Sequence, residues 1–381
     1  MNIARWSLCC GVLMLGGCST IGDWISGKNN VAIPSKLVEF NQTASFNVRW
    51  HSELGDAGIN LLQPAISQDA VFGVSGKGTL TRLERATGKL LWHVESGIAV
   101  SGGVGIGSGI VVLGSEKGEV LAYGEDGKLR WKSKVSSEVL STPQVADEVV
   151  VVRSGDGHIV GMSAADGKHL WSYERSTPAL VVRSHAGVVI QRGVVFAGFA
   201  AGKLAAISLK DGSVLWENAV SQPRGNTELE RISDITSNPV VDDEQVCAIA
   251  FQGRLACFEV AQGSPLWTRD MSSDKGMMLL RKFIYLTDAT GTLLALDKTT
   301  GNTLWKNDQL VRRNTTTPYT QGDFTVSGDF EGYLHALNRE DGRFVARIRL
   351  GDTAIQGAPL ALDEGLLVQT QGGGLYSLSL H

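Results

Sequence analysis

The segment GTLLALDKTTGNTLW, Gly291 to Trp305, opens on glycine, alternates apolar positions, turns at Thr-Gly and closes on tryptophan. Six further segments follow the same plan: GTLTRLERATGKLLW from Gly78, GEVLAYGEDGKLRW from Gly118, GHIVGMSAADGKHLW from Gly157, GKLAAISLKDGSVLW from Gly202, GRLACFEVAQGSPLW from Gly253 and GYLHALNREDGRFVA from Gly332. Glycine and tryptophan stand 14 positions apart in these copies, except that the second has 13 and the seventh carries Ala346 in place of Trp. An eighth copy, GLYSLSLH, opens at Gly374.

Each copy reads as two strands around a turn. The apolar positions Leu204, Ala206 and Leu209 suit a half-buried strand, and the pairs Asp126-Gly127, Asp166-Gly167, Asp211-Gly212 and Asp341-Gly342 supply the positive φ of a tight hairpin. Upstream of the opening glycines lie further apolar runs such as VVFAG, FIYLT and FTVSG. Before those come shorter ones that carry Pro, such as STPQVA, SNPVV and TTPYT. Four strands in a unit of roughly 40 residues make a propeller blade. The last copy lacks its outer strand and Trp, while Phe46-Asn47-Val48-Arg49-Trp50 offers both with no blade of its own. The expected fold is therefore all-β: an eight-bladed β-propeller of four-stranded antiparallel blades, its ring closed by an N-terminal strand that completes the last blade. A Trp at a fixed place in every repeat is structural, its broad apolar ring filling the gap between blades. The Asp-Gly pairs are turns, since no carboxylate set at calcium-loop spacing follows them.

Composition narrows the function. Net charge is −4, without a block of like charge, so no basic face speaks for nucleic acid. The histidines at 51, 93, 158, 169, 185, 335 and 381 keep no metal-ligand spacing. No nucleophile elbow or phosphate loop is present, and the glycines from 102 to 109 do not form a dinucleotide fingerprint. The reading is of a non-enzyme without metal or cofactor.

The first residues are a targeting segment. Arg5 gives a positive start, Leu8 to Leu15 a short apolar stretch, and Leu15-Gly16-Gly17-Cys18 a lipobox. The run is too short to span a bilayer. Expected boundaries are a signal peptide over 1–17, a lipidated N-terminus and linker over 18–44, and the propeller over 45–381. Cys18 is the lipidation site, and Ser19 after it follows the sorting rule for the outer membrane, with the protein facing the periplasm. Once Cys9 and Cys10 leave with the signal, Cys247 and Cys257 remain. A hairpin turn of three or five residues sets these two directly opposite on one face, and a two-residue turn sets them on opposite faces. A cross-strand disulfide and two small buried hydrophobes both stay open.

Two repeats run long. Successive tryptophans lie 42, 39, 40, 45, 51 and 38 residues apart, and the two excesses follow Trp171 and Trp216. Both insertions lie after an outermost strand in consecutive blades, so they emerge side by side at one end of the ring. The first carries Leu180 and Val182 in alternation beside Arg183. The second carries Arg224, Glu228, Glu230, Arg231 and Asp234. Loops on a rigid scaffold are frequent carriers of function, and an apolar knob flanked by Arg has the composition of a protein-binding hot spot.

The segment Ala295 to Trp305 resembles the quinoprotein-type propeller repeat. Within that superfamily, the lipobox, the eight blades and the stretches Gly225–Asp234 and Gly328–His335 resemble the propeller lipoproteins of the outer-membrane β-barrel assembly machinery. That resemblance covers residues 18 to 381. It implies binding to the POTRA domains of the barrel-inserting protein BamA, company with the other lipoproteins of that complex, help in folding β-barrel proteins, and a site at Leu180, Val182, Arg183 and Asp234. Arg231 joins these from the loop itself. Val182 stands where the family usually has Leu, and Thr236 stands where it can show a second acid. Whether unfolded barrel substrates touch the protein stays open. The rival class is a quinone-cofactor dehydrogenase, but those enzymes carry an adjacent cysteine pair over the cofactor, and here the adjacent pair Cys9-Cys10 lies in the signal. A sugar-binding propeller would need an exposed aromatic platform, which the sequence does not offer.

Overall fold

The computed structural model describes residues 33–381, so Cys18 and the signal lie outside the described residues. The described chain forms eight sheets of four antiparallel strands, the blades of a propeller. Seven blades take four consecutive strands. Blade six, for example, is built from β22 (Met277–Leu280), β23 (Phe283–Thr287), β24 (Leu293–Asp297) and β25 (Thr303–Asn307). Blade eight takes β30 (Leu360–Leu362), β31 (Gly365–Gln369) and β32 (Gly374–Leu380), and then β1 (Phe46–Glu53) from the N-terminal side. Phe46 pairs with Leu380 and Glu53 with Gly374. Just outside, the Ser45 and His381 amides each donate to the other's carbonyl, at 2.8 and 3.2 Å.

The core is a set of layers between blades. Each of the eight apolar clusters joins one blade to the next, and one of them packs Trp50 and Leu375 of blade eight on Val71 and Leu83 of blade one. The middle strands are thus enclosed on both faces. In β16 (Lys203–Ser208), Ala205 and Ile207 are as buried as Leu204 and Ala206, which corrects the half-buried reading of this strand. A neighbouring blade stands where solvent was expected.

The tryptophans link the layers. The indole N–H of Trp50, Trp92, Trp131, Trp171, Trp216, Trp267 and Trp305 donates across the blade boundary to a carbonyl at the next blade's outer hairpin turn, at 2.8–3.2 Å. The turn glycine there, from Gly88 to Gly342, has φ between 69° and 80°. Its missing side chain is the seat of the ring, because a Cβ at these glycines would come within 2.4–3.4 Å of it. The same geometry accounts for Ala346. No hairpin joins β32 to β1, so blade eight has no turn glycine to receive a Trp from blade seven. Instead the Thr43 and Ala44 amides donate to the Val345 carbonyl beside the fully buried Ala346. The shorter second repeat has a physical cause as well. Its turn closes with Gly124 N–H to Lys128 O around three residues, whereas the first repeat's closes with Glu84 N–H to Lys89 O around four.

The linker boundary moves. Residues 34–44, expected to belong to a linker, lie on the propeller, and the compact unit is Pro34–His381. Ser35 donates its amide to Val311 O, Arg313 donates to Ser35 O at 3.1 Å, and Arg347 donates to Val38 O at 3.0 Å. Phe40 stacks on Phe344 with ring centres 5.4 Å apart. Both arginines belong to a buried network in the stretch Gly328–His335. Asp329 Oδ2 accepts from Arg313 Nε at 2.8 Å and from His335 Nε2 at 2.9 Å, while Arg347 Nε donates to His335 Nδ1 at 3.1 Å. An imidazole that accepts at Nδ1 and donates at Nε2 is neutral. Burial pushes the His335 imidazole below its ordinary value, against the pull of Asp329. Burial would raise the Asp329 carboxyl, but the hydrogen bonds from His335 and Arg313 outweigh it and hold it low.

Deleting residues 46–50 removes Trp50 and half of the closing ladder. The expected product aggregates or loses its cooperative thermal transition by circular dichroism, and a monomer that melts like the parent would mean that another segment closes the ring. Trp171→Ala should cost about 3–5 kcal/mol in denaturant unfolding. The two pKa shifts share a sign. With both folded values depressed, the unfolded chain binds more protons, so stability is full above the ordinary His value near 6.5 and falls as pH drops below it, then falls further through the carboxylate range. His335→Gln should melt lower at pH 7 and lose less between pH 7 and pH 5 than the parent. An unchanged slope would assign the pH dependence to other groups.

Candidate functional site

The two insertions sit on either side of blade four. The first, residues 174–187, joins β13 (His169–Tyr173) of blade three to β14 (Val188–Gln191). The second, residues 220–239, joins β17 (Val214–Ala219) to β18 (Val240–Val241) of blade five. They meet, and Asp234 is the reason. Its Oδ2 accepts the Val182 amide at 2.8 Å, and its Oδ1 accepts the Ala201 amide at 2.9 Å from the inner turn of blade four. Its carbonyl accepts the Phe251 amide at 2.8 Å from the turn of blade five. A carboxylate taking two amides is well satisfied, and Asp234 is only 4% exposed.

These bonds hold the first loop against two blades. The exposed apolar pair is Leu180 and Val181, at 42% and 39%, instead of Leu180 and Val182, because the Val182 amide is turned inward to Asp234. Arg183 is exposed and meets Glu116 of blade two at 3.4 Å. Arg231 stands apart from the cleft. Its segment is a capping box in which the Glu230 carboxylate takes the Thr227 amide and the Thr227 hydroxyl takes the Glu230 amide, with Arg231 paired to Glu228 at 3.1 Å.

Between the loops lies an open cleft of about 200 Å³. Its lining includes Arg153, Phe199 and Glu138 as well as Val181, Val182, Arg183 and Asp234. Arg153 ends β11 (Val149–Arg153). Its guanidinium lies 5.3 Å over the Phe199 ring, and its one hydrogen bond among the described residues is long, 3.4 Å to the Gly187 carbonyl. Burial pulls it down to about 10, with the charge of Asp234 opposing, so it remains a cation at neutral pH. The loop lengths did not point to Arg153, but the repeat itself carries a signal. Four residues before the inner-turn glycine, which in the last copy is Gly373, the eight copies read Val74, Gly114, Arg153, Gly198, Ile249, Thr287, Gly328 and Gln369, with one cation among them.

In blade five, Cys247 faces Cys257 across the hairpin, Cα atoms 4.1 Å apart, and the sulfurs are bonded. The turn closes with Ala250 N–H to Arg254 O around three residues, one of the two lengths that set the cysteines opposite. Phe251, which holds the Asp234 carbonyl, lies in this turn.

Fold and cleft together define an eight-bladed β-propeller with an open cleft beside two adjoining loops. A family profile described as "Outer membrane protein assembly factor BamB" matches residues 76–307 and 295–381. The protein of that name from Nitrosomonas eutropha is 40% identical over 97% of this chain and 93% of its own length, and that from Escherichia coli 31% over 97% and 96%. The chain belongs to the BamB family of outer-membrane protein assembly factors. Among solved structures, BamB from Moraxella catarrhalis superposes with a TM-score of 0.81 at 25% identity, covering 88% of this chain and 99% of that one. A quinohemoprotein alcohol dehydrogenase from Comamonas testosteroni reaches 0.71 at 12% identity over 87% and 76%, a likeness of fold alone. The dehydrogenase alternative is not favoured.

If Asp234 is the pin between the loops, Asp234→Ala leaves the Val182 and Ala201 amides without an acceptor, a local cost of about 1–3 kcal/mol for each buried donor. Hydrogen exchange should speed up across residues 180–184 while the strands of blades one and eight keep their protection. Unchanged exchange in 180–184 would show that the loop is held by other contacts.

Proposed function

We propose that this chain is a non-catalytic scaffold of outer-membrane protein assembly, and that its two long loops dock the POTRA domains of BamA. The chain is made as a precursor whose residues 1–17 are removed, and acylation of Cys18 holds it on the outer membrane facing the periplasm. At about 0.8 kcal/mol for each buried CH₂, two or more acyl chains make a lasting anchor. Docking on BamA brings the chain beside the other lipoproteins of the complex.

The observation that carries this reading is the loop pinned by Asp234, with Leu180, Val181 and Arg183 turned outward. A binding loop that is ordered before contact loses little entropy on docking. It also presents an apolar anchor beside a guanidinium, the pairing that dominates interface energetics. The chain's membership of a family of assembly factors supports the same reading. Val182 and Asp234 serve from beneath by fixing the loop, and Arg231 extends the charged surface of the second loop.

Leu180→Arg and Arg183→Glu should leave the melting temperature unchanged, since both side chains are exposed. Each should reduce capture of a soluble BamA POTRA fragment by at least about 30-fold, the scale of a 2 kcal/mol hot spot. The double variant retaining BamA at the parent level in a membrane pull-down would refute the assignment.

A further inference from the structure

The cleft beneath the loops contains a cation that the outward-facing residues do not account for. Arg153 stands at a rung where seven other blades carry Val, Gly, Ile, Thr or Gln, so the propeller repeat does not require it. A guanidinium has five N–H donors in a planar fork. Here the fork is supported by the Phe199 ring beneath it at 5.3 Å and makes one long bond to Gly187 O. The nearby acids make hydrogen bonds elsewhere and none to the guanidinium. Asp234 gives both oxygens to the Val182 and Ala201 amides, and Glu138 on the cleft wall accepts the Ser137 hydroxyl. Apolar side chains, Leu140, Val181 and Ile235, make up much of the remaining wall.

We propose that Arg153 is the base of an anion socket in which a carboxylate side chain of the docking partner, carried beside an apolar residue that packs on Leu180 and Val181, is held by the guanidinium fork. Three features of the site fit that occupant. The planar fork matches the two oxygens of a carboxylate. The partly apolar cleft lowers the local dielectric and strengthens a charge pair relative to open water. The volume of about 200 Å³ is several times the roughly 30 Å³ share of one water, enough for a carboxylate and its short stem. The socket rests on the docking role proposed above. It divides the contact into an apolar rim, which gives area, and a charged floor, which fixes the angle at which the partner enters.

The test uses the detergent-purified full chain against the POTRA fragment, with affinities measured at 50 and 300 mM NaCl as the experimental settings. Arg153→Met keeps the side-chain length and removes the charge. It should weaken binding at least about 30-fold, the loss expected when one member of an enclosed charge pair is removed, and should flatten the salt dependence. Arg153→Lys, which keeps the charge without the fork, should recover a large part of both. The Met variant binding like the parent while Leu180→Arg abolishes binding would overturn the socket and leave the docking role standing. Equal losses in the Met and Lys variants, with the salt dependence unchanged, would also overturn it, making Arg153 a support for the Gly187 segment. Parent-level binding by both Arg153→Met and Leu180→Arg would overturn the docking role itself.

Discussion

Everything in this molecule depends on the pairing of β1 with β32. Seven blades each pass a tryptophan forward onto the glycine turn of the next, a series with a direction. Such a series leaves one blade face bare at each end unless it closes. β1 closes it by bringing Trp50 into blade eight, where the indole reaches the Arg85 carbonyl of blade one. A single Trp hydrogen bond contributes about 1 kcal/mol net, so no one of these contacts determines the fold. Closure makes them mutually dependent, because no blade can tilt without disturbing two layers of packing. Ala346 marks the seam from the other side, at the one junction where the receiving turn does not exist.

That rigidity is what allows an irregular surface to be specific. An isolated loop of the length of 174–187 or 220–239 would lose much conformational freedom on binding. Asp234 removes that freedom in advance by tying the first loop to the turns of blades four and five, which the ring already holds fixed. The blade-five turn is further clamped by the Cys247–Cys257 bond. The acid that the sequence places in the site also positions the loop, and the cleft beside it holds the Arg153 guanidinium.

The elements legible in the sequence were those set by periodicity. The blade count, the turn glycines, the closing strand and the two long loops all repeat or visibly break a repeat. Three features could not be read the same way. The burial of both faces of β16 depends on a neighbouring blade, which strand alternation does not encode. The attachment of residues 34–44 depends on Arg313 and Arg347, which lie about 300 residues away and reach Ser35 and Val38 from within a buried acid–imidazole network. The inward turn of Asp234 depends on a backbone amide, which any residue at 182 except proline would supply. Arg153 is a different case, since comparing the same rung across eight copies exposes it.

The placement of the site follows from the placement of the seam. In a ring of eight, the blade opposite the eighth is the fourth, and the two loops flank blade four. Blade eight is assembled from two distant parts of the chain and lacks an outer hairpin, and residues 34–44, which lead into its outer strand, pack on blades six and seven. A partner pulling on loops beside that junction would load the contact on which closure depends. Loops beside blade four instead spread the load through three or more complete blades in either direction before it reaches β1 and β32.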